Sequence, residues 1–229
     1  MKKNVFVLML FLSLHFCWAQ VRTGALKYEA LDPNTAGKIF RNQKNSGPDK
    51  IEGSPYLQKV FAPANVINVE QKYFMRYNAY EDQFEFIAPK NDTLVMDKID
   101  DFGLITFNMS NKKYKLLDYL NLNEKMTKGY LIELYSKGDL GLYKKESVSF
   151  RPGKKAKTSL EVDMPAKYIK NDDTYFLKNK SGNIAVFPES KKQLVKLFPE
   201  KKSEIESFVK QNDIKFDQEM DLKKIIDFI

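Results

Sequence analysis

The chain has 229 residues, with 38 Lys and Arg against 30 Asp and Glu, and a single His, Cys and Trp. That length is ample for a buried core without disulfides. His15, Cys17 and Trp18 all fall within the first twenty residues, so loss of that segment would leave neither imidazole nor thiol.

Residues 1–20, MKKNVFVLMLFLSLHFCWAQ, have the layout of a secretory leader. Lys2 and Lys3 form its positive start, an apolar run follows to Phe16, and Cys17 and Ala19 supply small residues at the −3 and −1 positions. The expectation is cleavage after Ala19 and export to the periplasm or the medium. The apolar core of about 12 residues is shorter than the roughly 20 that a spanning helix needs, so no transmembrane segment is expected after cleavage. Acylation at Cys17 is the alternative, disfavoured because Phe16 is too large for the pocket before a lipidated cysteine.

Without its leader the chain lacks the base or thiol of Ser-His-Asp and Cys-His nucleophile systems. The usual His/Cys zinc ligands are missing as well. The positive excess falls from eight to six when Lys2 and Lys3 leave, and only Arg22, Arg41, Arg76 and Arg151 are arginine. Bidentate recognition of bases and phosphates leans on arginine, so no nucleic-acid partner is expected. A modest positive balance reads first as a soluble surface. Contact with an anionic membrane or polysaccharide comes second.

Residues 20–52 are polar, carry Pro33, Pro48, Gly37 and Gly47, and show no sustained period. They read as an extended or partly ordered lead-in with a short helix at 35–42. From about Val66 to Val186 short segments rich in aromatic and β-branched residues take over. Tyr73, Met75, Tyr77 and Ala79 alternate onto one face. Glu81-Asp82 turns the chain into Gln83–Ile87, where Phe84 and Phe86 share a face and Glu85 lies opposite, forming a hairpin. Tyr130–Tyr135 with Leu140–Tyr143, and Asp173–Lys178 with Asn183–Phe187, predict two more. Leu94–Met96, Leu104–Asn108 and Tyr114–Asp118 predict further strands. Seven to nine short strands without intervening helices point to an antiparallel β-meander, curved or partly closed.

The last forty residues change to a helical period. Ser190 with Gln193 matches a capping box, and Leu194, Leu197 and Phe198 form a stripe that Pro199 ends. Ile205, Phe208 and Val209 mark a second helix. Asp217 is the expected cap of a third, with Leu222, Ile225, Ile226 and Ile229 at i, i+3, i+4 and i+7. The fold class is therefore α+β: a β-rich body at 66–187 and two or three short helices at 188–229, together one domain over 53–229.

No residue stands out as catalytic, cofactor-binding or metal-binding. Asp97, Asp100 and Asp101 in DKIDDFG have the wrong spacing for a calcium loop, and Asp172-Asp173 offers too few ligands. Ser110-Asn-Lys-Lys113 and Ser181 give only chance-level nucleophile material. No GxGxxG or P-loop pattern occurs. Tyr73, Tyr77 and Tyr80 either line a pocket in a curved sheet or pair across strands in the core. Asn91, Asn108 and Asn179 sit in Asn-x-Ser/Thr sequons, and Asp92-Thr-Leu94 matches a short O-glycosylation acceptor.

Gly53-Ser-Pro-Tyr-Leu57 with Phe61, then DTYFLK at 173–178, SKKQLVKLFPEKKSEIESFVKQNDIKF and the final DLKKIIDFI, resemble a family of uncharacterised secreted bacterial proteins. The resemblance covers most of the chain from residue 53 onward. It implies a short polar lead-in before GSPYL, a β-rich body, a lysine-rich helical tail and export, and brings no activity, cofactor or site residues. Gly53 and Pro55 read independently as turn residues that start the folded part.

The expected function is a non-enzymatic binding or envelope-associated module, whose partner is an unidentified envelope protein or ligand. A carrier of a small apolar or lipid ligand inside the curved sheet, and a hydrolase built on a carboxylate pair, are the alternatives. No cofactor is expected.

Overall fold

A computed structural model describes residues 51–158 and 162–229. The expected leader, its expected cleavage point and most of the lead-in, including the expected helix at 35–42, lie outside the described residues.

Twelve strands occur among the described residues, more than the seven to nine expected. They are β1 (Ala62–Val66), β2 (Tyr73–Asn78), β3 (Gln83–Ile87), β4 (Thr93–Met96), β5 (Leu104–Phe107), β6 (Lys113–Leu120), β7 (Met126–Lys137), β8 (Leu140–Lys145), β9 (Val148–Arg151), β10 (Lys167–Lys170), β11 (Thr174–Lys178) and β12 (Ile184–Val186). Ten of them form one antiparallel sheet in the order β12-β11-β8-β7-β6-β5-β1-β2-β3-β4, while β9 and β10 pair separately. Two meanders, β1–β4 and β5–β8, meet where β5 returns to β1. The α+β class and the curved meander are as the sequence indicates. Strands β1, β9 and β10 escaped it because Ala62-Pro-Ala64 and Lys167-Tyr-Ile-Lys170 are too short and mixed for a period-2 signal.

The β2–β3 hairpin pairs Tyr77 with Phe84 and Asn78 with Gln83, so its loop spans four residues, Ala79–Asp82, rather than the expected two. Asn78 explains the difference: its Oδ1 accepts from the backbone of Tyr80 and Glu81, an Asx turn that starts the reversal early. Asp82 closes the loop at φ 55°.

The sheet curls because its two faces bury apolar residues in different places. On one face Met75, Tyr77, Phe84, Phe107, Tyr114 and Tyr130 form an aromatic core, with Ala62 and Ala64 of the central β1. Those small side chains leave volume for the rings. On the other face Tyr119, Leu131, Tyr143, Phe176 and Ile184 cluster, which brings β12 back toward β6.

Three helices cover the β8–β11 end: α1 (Lys191–Leu197), α2 (Lys202–Gln211) and α3 (Glu219–Phe228). Leu140, Leu142 and Leu177 of the sheet meet Leu194, Ile205, Leu222 and Ile225 there. Ser190 caps α1 through its side chain on the Gln193 amide at 3.4 Å. The Gln193 amide oxygen accepts from the Glu189 backbone instead of that of Ser190. Leu197 is exposed, in contrast to the expected stripe. Asp217 does not cap α3, whose N-cap is Gln218 without a side-chain bond. Asp221, inside the first turn, accepts from the Lys215 amide and ties down the preceding loop. Ile229 is buried, as its place in the i+7 pattern requires.

The GSPYL segment is the other fastening. Gly53 has φ 76°, and a Cβ built there would lie 2.3 Å from the Tyr168 carbonyl oxygen. Glycine alone satisfies both conditions. Gly53→Ala is expected to cost at least about 1–2 kcal/mol for the left-handed backbone, with more from displacing β10. A denaturant titration showing wild-type stability would contradict this.

Candidate functional site

Among the described residues, a dense group of ionisable side chains surrounds Asp82 at the tip of the β2–β3 hairpin. The hairpin leans across β7 and β8, so residues distant in sequence converge. Asp82 forms an ion pair with Lys145 of β8 and another with Lys98 at 2.8 Å. It accepts a hydrogen bond from the Tyr77 hydroxyl at 2.5 Å and faces the Tyr130 amide at 3.3 Å. Gly129 makes room for it, since a Cβ there would stand 2.4 Å from Asp82 Oδ2.

Lys145 Nζ also donates to the Tyr130 carbonyl at 3.0 Å and to Tyr77 Oη at 3.1 Å. Its three hydrogens therefore have three acceptors. Burial lowers the pKa of Lys145 even though Asp82 opposes the shift. Burial raises Tyr77 well above its ordinary value, reinforced by Asp82. A nucleophilic lysine needs a desolvated amine with an open approach. Lys145 has the first property and not the second, because Tyr77, Asp82 and β7 enclose it.

A cleft of about 260 Å³ adjoins this cluster through Tyr77, with Phe107 and Tyr114 among its walls and Arg76, Ser110, Lys112 and Glu146 as its polar groups. Its charges are internally matched. Lys112 Nζ donates to both Glu146 oxygens at 2.8 and 3.0 Å, and Tyr114 Oη donates to Glu146 at 3.3 Å. Burial and Glu146 together raise the Tyr114 pKa. Arg76 donates through Nε and Nη2 to Glu85 at 2.8 and 2.6 Å. Its guanidinium lies over the Tyr56 and Phe61 rings at 3.8 and 4.4 Å. Tyr56 Oη donates to the other Glu85 oxygen at 2.8 Å, and its pKa is pushed up to about 12 by burial and that bond. Arginine stacked between rings and held by a carboxylate is a rigid anchor. It holds the GSPYL tyrosine, Tyr56, and Phe61 against one side chain.

The residues weighed from sequence alone take other roles. Tyr73 packs edge-on against Phe86, Tyr77 joins the core and the cleft, and Tyr80 packs with Phe150 and Tyr168. Asp100 and Asp101 lie in a 3-10 turn, and Asp100 pairs with Lys128 at 2.6 Å. Asp173 pairs with Lys144 at 3.3 Å. Among the described residues no three His, Cys, Asp or Glu side chains are placed to hold a metal ion, and no helix is long and apolar enough to cross a membrane. Ser110 lies on the cleft rim, and its Oγ accepts from the Lys112 amide at 3.5 Å.

Asp82, Lys145, Lys112 and Glu146 gave no sequence signal as ion pairs, because Lys112 and Glu146 lie 34 positions apart and Asp82 and Lys145 lie 63 apart. Arg76 and Glu85 sit opposite each other in the observed register, whereas the expected two-residue turn would have set Glu85 against Asn78.

The chain is thus an α+β protein built on a curled antiparallel sheet, and among the described residues Asp82, Glu85 and Glu146 each meet an opposite charge. Comparison with protein-family models, curated proteins and solved structures finds no significant match. A functional reading therefore rests on the residues themselves.

Proposed function

We propose that this is an exported, non-enzymatic binding module of the bacterial envelope, released from its leader after Ala19. The observation that carries the reading is the pairing of interior ionisable groups. Lys145, Asp82, Arg76, Glu85, Lys112 and Glu146 satisfy one another, which suits holding strands together and leaves no open base or nucleophile among them. The resemblance through GSPYL and the helical tail bears on the export part of this reading alone. The cleft of about 260 Å³ is smaller than the ~300–1,000 Å³ usual for small-molecule pockets. Its charged rim also weighs against a lipid cargo.

Native mass spectrometry of the protein recovered from its own cells without detergent tests the reading. The expected species comes from the envelope or medium fraction, begins at Gln20 and carries no apolar adduct. A stoichiometric lipid adduct would favour the carrier. An intact leader on a cytoplasmic protein would overturn export.

A further inference from the structure

Strands β9 and β10 form a ribbon that stands apart from the large sheet. Their pairing, Val148 with Lys170 through Arg151 with Lys167, continues to Lys154 and Met164, which exchange two backbone bonds of 2.8 Å. Asp163 Oδ1 accepts from the Ala156 amide at 2.7 Å. The base is fastened: Val148 is buried, its amide donates to Ala79 at 3.1 Å, and Phe150, Tyr168 and Tyr80 pack as a ring trio. Beyond the base, from Ser149 to Pro165, every described residue except Ala156 is exposed.

A two-stranded ribbon has little stability of its own, and this one exposes both charge and apolar surface. Residues 148–170 carry Arg151, Lys154, Lys155, Lys157, Lys167 and Lys170 against Glu161 and Asp163, which is half of the chain's formal +8. Val162 is 84% exposed and Met164 45% exposed. Phe150 and Tyr80 present partly exposed rings nearer the base.

We infer that this ribbon is a docking surface for an anionic phospholipid bilayer, with the cations at the headgroups and Val162 and Met164 entering the acyl boundary. The inference rests on the envelope reading and gives it a partner. Charge complementarity selects an anionic surface, worth about 1 kcal/mol for each Lys or Arg held near it. The apolar side chains among the cations select lipid over polysaccharide or nucleic acid, since an interfacial segment combines the two. The rings at the base match the side chains that settle at headgroup depth.

The test uses the chain from Gln20 and vesicles of phosphatidylglycerol mixed with phosphatidylcholine, against phosphatidylcholine alone. Sedimentation is expected with the anionic vesicles only, and raised salt should release the protein. Arg151→Gln with Lys155→Gln should weaken binding about 30-fold, the value for two surface cations, with the circular dichroism spectrum unchanged because both residues are exposed. Val162→Trp places the sole indole of that chain at the ribbon, and its emission should shift to the blue on anionic vesicles. Equal binding to both vesicles, an unshifted indole, an unaffected double variant, or retention on dextran sulfate without vesicle binding would each overturn the inference. These outcomes leave export and the absence of a lipid adduct to be decided separately by mass and location.

Discussion

Asp82→Ala is expected to destabilise the protein by about 3–5 kcal/mol, the usual cost of leaving a buried charge without its partner. The charge is Lys145, whose side chain is 14% exposed. Removing the carboxylate also strips Tyr77 of its acceptor and Lys98 of its counter-ion. For a domain of this size each kcal/mol shifts the melting temperature by roughly 2–4 °C, so a fall on the order of 10 °C should appear by calorimetry. The pH dependence identifies the cause. Lys145 already has a pKa below its ordinary 10.5 through burial, and without Asp82 the folded state favours the neutral amine still more strongly. In the window below 10.5 the unfolded state then binds more protons than the folded one, so stability rises with pH. The deficit of the variant should narrow as pH climbs toward 10. A deficit that is constant with pH would mean that the loss comes from backbone changes at the φ 55° position instead.

The second large effect lies on the alkaline side. Burial raises Tyr77, Tyr114 and Tyr130 above the ordinary tyrosine value of 10.0, and pushes Tyr119 up to about 12. All four are buried. Above pH 10 the unfolded chain loses phenolic protons that the folded chain keeps, so stability falls as pH rises. Each such tyrosine contributes at most about 1.4 kcal/mol per pH unit, and several acting together make the decline steep. Phenolate absorbance should therefore show the exposed tyrosines titrating first, then an abrupt cooperative rise as the core opens. Tyr130 is the sharpest probe, because its hydroxyl is buried without a hydrogen-bond partner. Tyr130→Phe should leave neutral-pH stability equal or improved by up to about 1 kcal/mol, and should flatten the alkaline decline. Gradual ionisation of all tyrosines without unfolding would show a more open core.

What the sequence made legible follows from the range of each interaction. The alternation Tyr73, Met75, Tyr77 and the i, i+3, i+4, i+7 set ending at Ile229 are local patterns, and both appear in the structure as buried faces. The four-residue hairpin loop depends on the Asn78 side chain, a local feature that the twofold period obscured. The Asp217 cap failed because Asp221 satisfies the backbone of the loop before the helix, leaving the helix start to Gln218. The Asp82 cluster was invisible for a different reason. Its members come from the β2–β3 loop, β7, β8 and Lys98, and converge only once the sheet curls. Gly129 lies inside β7. Its cause is the carboxylate occupying the space of a side chain.

On the proposed function, the buried ionisable groups hold the sheet together and perform no chemistry. Reductive methylation of the native protein, followed by peptide mapping, tests it most directly. The three filled hydrogen-bond positions on Lys145 Nζ predict that this lysine stays among the least modified until denaturant is added. Rapid and selective modification of Lys145 in the folded protein would contradict the proposed function and mark an accessible nucleophile.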